Sequence, residues 1–140
     1  MNCDRGSTVE LVWDAGGRCT ARSSSGASLT IGNGGDFSPS DLLALAAASC
    51  LMTSFIAEAT ATGVMPLSYL STASVADDGA PRSSARVHVH AYVLAASDAD
   101  RIGLAAVVDA AKHRSPVACL LGDRADLTIE LNVINDARPS

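Results

Sequence analysis

The sequence predicts an α+β fold with mainly antiparallel sheet, and two observations lead to this prediction. The first is a long apolar segment, residues 38–63, that has the length and composition of a buried helix. The second is the order of the segments, βββ-α-ββ-αα-β, which lacks the regular alternation typical of parallel sheets. With 140 residues, 48% of them hydrophobic, we expect a single domain over residues 1–140 with a sizeable core.

Alternation of apolar and polar residues identifies the strands, and clusters of Gly, Ser, Asp and Pro separate them. Because side chains alternate across a strand, Arg18 and Cys19 should lie on opposite faces, with Cys19 toward the core. Near residue 90 the valines should share one face, and His88 and His90 the other. The expected strands span residues 9–13, 18–23, 27–31, 67–75, 86–94 and 126–134.

The long helix carries clear signals at both ends. Ser38 is a good N-cap, and Pro39 suits the first helical position. Asp41 places a carboxylate where the unpaired N–H groups of the first turn can use it, and Gly63 can close the far end. Because the segment between is almost free of charge, we expect it to be buried on nearly all sides, partly by a second copy of the chain.

Two further helices follow in the second half of the chain. Ser97 and Asp100 form a capping pair that opens a helix to about His113. Ser115 and Pro116 repeat the Ser-Pro start at residue 38, which predicts a short third helix to residue 122.

Composition excludes several classes of partner. The net charge of −5 and pI of 4.9 argue against nucleic acid and against an anionic membrane surface. The long helix is too rich in Ala, Ser and Thr for a membrane span, which needs about 20 strongly apolar residues. Asp4 and Glu10 lie where a targeting segment would be apolar, so we expect a cytoplasmic protein with reduced cysteines.

The sequence allows either a reactive or a structural role for the cysteines. Cys50 could be a nucleophile if a cation such as Arg18 or Arg22 lowers its pKa, or a small buried apolar residue. Cys119, one turn into the short helix, could be an activated thiol or an inward-facing core residue, and Cys3 lies in the terminal segment.

A metal site is not expected from the spacing of potential ligands. The cysteines show no C-x-x-C spacing, and His88 and His90 have no evident third ligand. We interpret the two histidines as surface or interface residues, and we expect no metal and no organic cofactor.

Three segments resemble the OsmC/Ohr family, named for osmotically inducible protein C and organic hydroperoxide resistance protein. SPSDLLALAAASCLMTSF is similar to the family's helix with its reactive cysteine, and AAKHRSPVACLL resembles its second motif, A-x-x-x-x-C-P-V. AGGRCTARSSSG resembles its N-terminal Gly-Gly-Arg strand and Ser-Gly turn.

This resemblance implies a fold and an activity. The fold would have antiparallel sheets around a long buried central helix, in an intertwined homodimer with its active sites at the subunit interface. The activity would be a thiol-dependent peroxidase that reduces organic hydroperoxides or hydrogen peroxide. Cys50 matches the peroxidatic cysteine, and Arg18 matches the arginine that stabilises its thiolate. An external thiol would supply the electrons.

The sequence departs from the family pattern at two places. Ser115 stands at the position of the family's second cysteine, and we expect Cys119, one turn later, to act as the resolving thiol. Ser40 replaces the family's acid after the helix proline, which should deprive Arg18 of its partner; Asp41 is adjacent. We expect Asp41 and Ser115 to line the substrate pocket. The alternative function is a non-enzymatic dimer that binds a small apolar ligand at the subunit interface.

Overall fold

The structure is a computed structural model that describes residues 8–13, 18–32, 36–76 and 85–134. Within them the predicted order of strands and helices is confirmed. The turns expected near residues 14–17 and 77–81, and Cys3, lie outside the described residues. The strands are β1 (Val9–Trp13), β2 (Cys19–Ser23), β3 (Ser28–Ile31), β4 (Ser68–Ala76), β5 (Arg86–Ala95) and β6 (Ala125–Val133). The helices are α1 (Pro39–Thr62), α2 (Asp98–Arg114) and α3 (Pro116–Leu121), followed by a 3-10 turn, Gly122–Arg124.

The chain divides into two compact units, residues 1–43 and 44–140. The first unit contains an antiparallel sheet in the order β1-β2-β3. Every residue of its edge strand β1 is exposed, including Leu11 at 62% and Trp13 at 69%. An apolar strand that remains this open within one chain offers a surface for a further partner.

The second unit contains a mixed sheet in the order β4-β5-β6. Strands β4 and β5 are antiparallel as expected, but β5 and β6 are parallel. Three of the four strand pairings are therefore antiparallel, which confirms the predicted mainly antiparallel arrangement, and the β5-β6 pair is the exception. The parallel pairing is possible because α2 and α3 provide the long crossover that adjacent parallel strands require.

The inner face of this sheet packs against one side of α1. Residues Ala47, Leu51, Phe55 and Ala59 recur at helical spacing, and all are buried. The rest of the helix surface remains open, with Met52 among the exposed apolar residues. The helix is therefore covered on one side only within a single chain, although its composition predicts burial on nearly all sides.

By length and composition α1 is the one helix among the described residues that could cross a membrane. One such helix does not indicate a membrane protein, because the core helix of a globular domain can have the same length and composition. Leu51 and Phe55 are fully buried, in clusters that also hold side chains of β5, which is the packing of a core helix.

Helices α2 and α3 run back along α1 in the opposite direction. Near the start of α2, a Cβ added to Gly103 would lie 3.2 Å from Val64, just beyond the end of α1. At the end of α2, Arg114 Nη1 lies 2.7 Å from Glu58 Oε1. In α3, Val117 packs on the cluster that contains Leu51. The two helices thus follow α1 from its C-terminus toward its middle.

We predict that Phe55→Ala lowers the free energy of unfolding by about 3–5 kcal/mol, because it leaves a cavity at a fully buried position. Denaturant unfolding followed by circular dichroism would measure the change. The control is Leu120→Ala, at a position that is 86% exposed, which should change stability by less than about 0.5 kcal/mol. Equal effects of the two substitutions would contradict this description of the core.

Candidate functional site

Cys50 lies at the edge of the packed side of α1. Successive helical residues are about 100° apart, so Cys50 stands beside the buried Leu51 instead of pointing in the same direction. Its side chain is half-buried, and the thiol is free. The thiol is therefore not sealed in the core, and partial access is one requirement of a reactive cysteine.

Arg18 forms an ion pair with Asp36 in the first unit. Arg18 Nε lies 2.9 Å from Asp36 Oδ2, and the aspartate side chain is 17% exposed. Arg18 therefore has an acidic neighbour although Ser40 stands at the position of its usual partner in the family. Sequence motifs could not find Asp36, because it lies before the helix, outside the pattern that the family places after the proline. That Arg18 stabilises the Cys50 thiolate stays a prediction.

Asp41 forms a capping box with Ser38 at the start of α1. The Ser38 N–H donates to Asp41 Oδ2 at 2.9 Å, and the Asp41 N–H donates to Ser38 Oγ at 3.1 Å. The hydrogen bond from the Ser38 backbone lowers the pKa of Asp41 below its usual value. The predicted capping role of Asp41 is confirmed, and its place in a substrate pocket stays a prediction.

Ser115 is fully buried at the junction between α2 and α3. Its carbonyl accepts a hydrogen bond from the Cys119 N–H at 3.0 Å, but its hydroxyl has no partner among the described residues. Ser54 on α1 has the same property, a buried hydroxyl without a described partner. Sequence analysis missed Ser54, because a serine in an apolar helix carries no distinguishing pattern.

Cys119 is exposed, so the alternative of an inward-facing core residue is wrong. Its Sγ lies 3.0 Å from the carbonyl oxygen of His113, to which it donates a hydrogen bond. On α3, Val117 and Leu121 face the core cluster, and Cys119 is about 200° from each, on the opposite side. There it lines an open groove of about 380 Å³ with Lys112 and other residues of α2 and β6. Its role as resolving thiol stays a prediction.

The outer face of β5 carries His88 and His90, as predicted, and each pairs with a carboxylate of β6. His88 Nδ1 lies 3.2 Å from Asp126 Oδ2, and His90 Nε2 lies 3.1 Å from Glu130 Oε2. Arg86 shares Asp126 and lowers the pKa of that carboxyl. In the part of the chain that the structure describes, no three His, Cys, Asp or Glu side chains are arranged to hold a metal ion.

Comparison with protein families gives one match that covers most of the chain. The family model described as OsmC-like protein matches residues 32–130. Comparison with curated protein sequences gives no significant match.

Solved structures with the same fold include several bacterial proteins. The OsmC-like protein of Mycoplasma pneumoniae has a TM-score of 0.75 at 15% identity, over 94% of this chain and 99% of that one. An organic hydroperoxide resistance protein OsmC of Legionella pneumophila has a TM-score of 0.69 at 17% identity, over 92% and 98% of the two chains. The organic hydroperoxide resistance protein OhrB of Bacillus subtilis has a TM-score of 0.66 at 17% identity, over 91% and 98%. At these identities the similarity shows the fold.

We predict that Asp41→Ala destabilises the protein at neutral pH and that this loss disappears in acid. Because the pKa of Asp41 is lower in the folded state than in the unfolded state, its contribution is present above the unfolded-state pKa of about 4. The contribution is lost as the pH falls through the folded-state pKa. Thermal unfolding of both proteins from pH 7 to pH 3 would measure the difference, which should shrink as the pH falls. A constant difference would mean that the carboxylate charge does not contribute.

Proposed function

Because the chain belongs to the OsmC-like protein family, we propose that it is a cysteine-based peroxidase of the cytoplasm, which reduces organic hydroperoxides or hydrogen peroxide with electrons from a thiol. The observation that carries the proposal is the placement of Cys50. The residue that matches the family's reactive cysteine is half-buried at the edge of the packed side of α1, where a small substrate can reach it. Two of the structural relatives are named for organic hydroperoxide resistance, which supports the same substrate class.

The proposed reaction begins with attack of the Cys50 thiolate on the distal oxygen of the hydroperoxide. An S–O bond forms and the O–O bond breaks, so that sulfur loses two electrons and the peroxide gains them. Cys50 becomes a sulfenic acid, and the leaving alkoxide takes up a proton to become an alcohol. A thiol then condenses with the sulfenic acid to a disulfide and water, and a second thiol exchanges to restore Cys50.

Arg18 is proposed to stabilise the thiolate of Cys50. A guanidinium keeps its charge at all physiological pH values and favours the anionic form of a nearby thiol. Asp36 Oδ2 lies 2.9 Å from Nε of Arg18, so a carboxylate stands directly beside the guanidinium group. Asp36 thereby takes the place of the acidic partner that Arg18 would otherwise find at position 40.

We also propose that the active form is a homodimer. Two apolar surfaces are open in the single chain: strand β1, with Trp13 69% exposed, and the outer side of α1, with Leu45 50% exposed. Large exposed apolar patches on a protein surface often mark a site of association with another chain. A second copy of the chain would cover both surfaces.

We predict that the protein consumes cumene hydroperoxide in the presence of dithiothreitol and that Cys50→Ser abolishes this consumption, because serine lacks the nucleophilic thiolate. Arg18→Ala should slow alkylation of Cys50 by iodoacetamide, because the thiolate loses its proposed cation. Peroxide assay and peptide-resolved mass spectrometry would measure the two effects.

Cys119→Ser and Arg22→Ala are the matched controls for these two substitutions. Arg22→Ala should leave the alkylation rate of Cys50 unchanged, and Cys119→Ser should retain oxidation of Cys50 by peroxide. A Cys50 that stays inert to peroxide in the folded wild-type protein would rule out the peroxidase. It would favour the alternative, a dimer that only binds a small apolar ligand.

We predict that the dimer does not dissociate at micromolar concentration without unfolding, because each chain exposes much of α1 and β1. Sedimentation equilibrium would measure the mass, and Leu45→Glu should weaken association by placing a charge on the open side of α1. Glu substitution of Leu120, which is 86% exposed on α3, is the control. A folded wild-type monomer at micromolar concentration would contradict the prediction.

A further inference from the structure

Two serine hydroxyl groups of the second unit are buried without a hydrogen-bond partner among the described residues. They belong to Ser54 on α1 and to Ser115 between α2 and α3, which are 4% and 0% exposed. A buried hydroxyl without a partner destabilises the folded state, because it gives up its hydrogen bonds to water. Such groups are uncommon in native proteins, and each requires an explanation.

Ser54 differs from the other hydroxyl residues in the middle and C-terminal half of α1. The others each donate a hydrogen bond to a carbonyl of the preceding turn, which is the usual arrangement in a helix. Ser54 makes no such bond, although the carbonyl of Cys50 lies one turn before it. Its hydroxyl is directed into the packed interior instead. The bonded residues are Ser49, Thr53, Thr60 and Thr62.

Ser115 lies alongside the turn of α1 that holds Ser54, because α2 and α3 run antiparallel to α1. On one side of Ser115, Arg114 is bonded at 2.7 Å to Glu58, one turn after Ser54. On the other side, Val117 packs on the cluster formed by the preceding turns of α1. We infer from these two contacts that Ser115 lies beside the part of α1 between Leu51 and Glu58, which contains Ser54, and we call this region the junction.

Cys50 borders the same junction. It precedes Ser54 by four residues, a spacing that places the two Cβ atoms about 5–6 Å apart on one side of the helix. Helical side chains lean toward the N-terminus, so the Ser54 side chain leans toward Cys50. The Cys50 side chain is half-buried, whereas Ser54 and Ser115 are buried.

We propose that Ser54 and Ser115 bind the oxygen atom that Cys50 acquires from a hydroperoxide, and that the protein works as a one-cysteine peroxidase reduced by an external monothiol. This inference rests on the peroxidase function proposed above. The hydroxyls donate hydrogen bonds to the oxygen of the sulfenic acid, so that two groups with no partner among the described residues gain one when Cys50 is oxidised. The sulfenic acid is thereby protected until a thiol arrives.

The placement of Cys119 favours an external thiol over an internal one. Cys119 lies on the side of α3 opposite to Val117 and Leu121, which face the core. Its thiol is bonded to the carbonyl of His113 and opens into the groove between α2 and β6. A small monothiol would instead attack the Cys50 sulfur directly, release the oxygen as water and leave a mixed disulfide. A second monothiol would then restore the Cys50 thiol.

The lifetime of the sulfenic acid tests this proposal. The reduced full-length protein is treated with one equivalent of cumene hydroperoxide, dimedone is added after increasing delays, and the adduct on the Cys50 peptide is measured by mass spectrometry. We expect Ser54→Ala and Ser115→Ala each to shorten the lifetime about fivefold, the factor that one ordinary hydrogen bond contributes. Neither variant should have a lower melting temperature than the wild type, because each loses a buried hydroxyl that has no partner among the described residues.

Tyr69→Phe is the matched control. The hydroxyl of Tyr69 is also buried without a described partner, but its ring lies against Phe55, with ring centroids 5.7 Å apart. Phe55 points about 100° away from Ser54 around α1, so removal of this hydroxyl should leave the lifetime unchanged. Because Ser54→Ala and Ser115→Ala are measured separately, the test can be made even if only one of the two variants folds.

The possible outcomes separate this proposal from the peroxidase itself. If Cys50 is oxidised but both alanine variants keep the wild-type lifetime, the hydroxyls do not bind the oxygen and the proposal is overturned. It is also overturned if a Cys50–Cys119 disulfide replaces the dimedone adduct in the wild type. If wild-type Cys50 is never oxidised by peroxide, the peroxidase function itself fails.

Discussion

The need to cover α1 is the constraint on which the second unit depends. This helix is long and almost free of charge, and a side of it left in water would forgo the hydrophobic stabilisation that offsets the entropy of ordering the chain. The inner face of the β4-β5-β6 sheet covers one side, and α2 and α3 return along the helix and pack on the same clusters. The cover within one chain is incomplete, which is the physical reason to expect a second copy.

The same packing determines how far the side chain of Cys50 is buried. A cysteine in line with Leu51 would be sealed in the core, and one on the opposite side would be exposed like Thr53. Its position at the boundary places the sulfur between the packed interior and the outside. A thiol peroxidase requires this combination, because substrate must reach the sulfur while the oxidised form must be protected from further oxidation.

Around the junction of α1 with α2 and α3, the charged side chains are more exposed than the serine hydroxyls. Glu58 is 18% exposed at its side chain and is paired with the more exposed Arg114, so the charged groups satisfy each other near the surface. The hydroxyls of Ser54 and Ser115 are more buried and have no hydrogen-bond partner in the part of the chain that the structure describes. Buried polar groups without partners destabilise the folded state. Proteins commonly keep such groups at functional sites, where the groups find partners only during the reaction.

The sequence by itself determined the order of elements and the cap at Ser38, because these depend on local periodicity and on hydrogen bonds within one turn. It also determined which residue matches the family's reactive cysteine, because Cys50 stands within a contiguous motif. Only the tertiary structure decided the parallel pairing of β5 with β6, the Asp36 partner of Arg18 and the orientation of Cys119. Whether the hydroxyls of Ser54 and Ser115 have partners was equally beyond the sequence. Each of these features depends on which segments meet in space, and a local pattern does not contain that information.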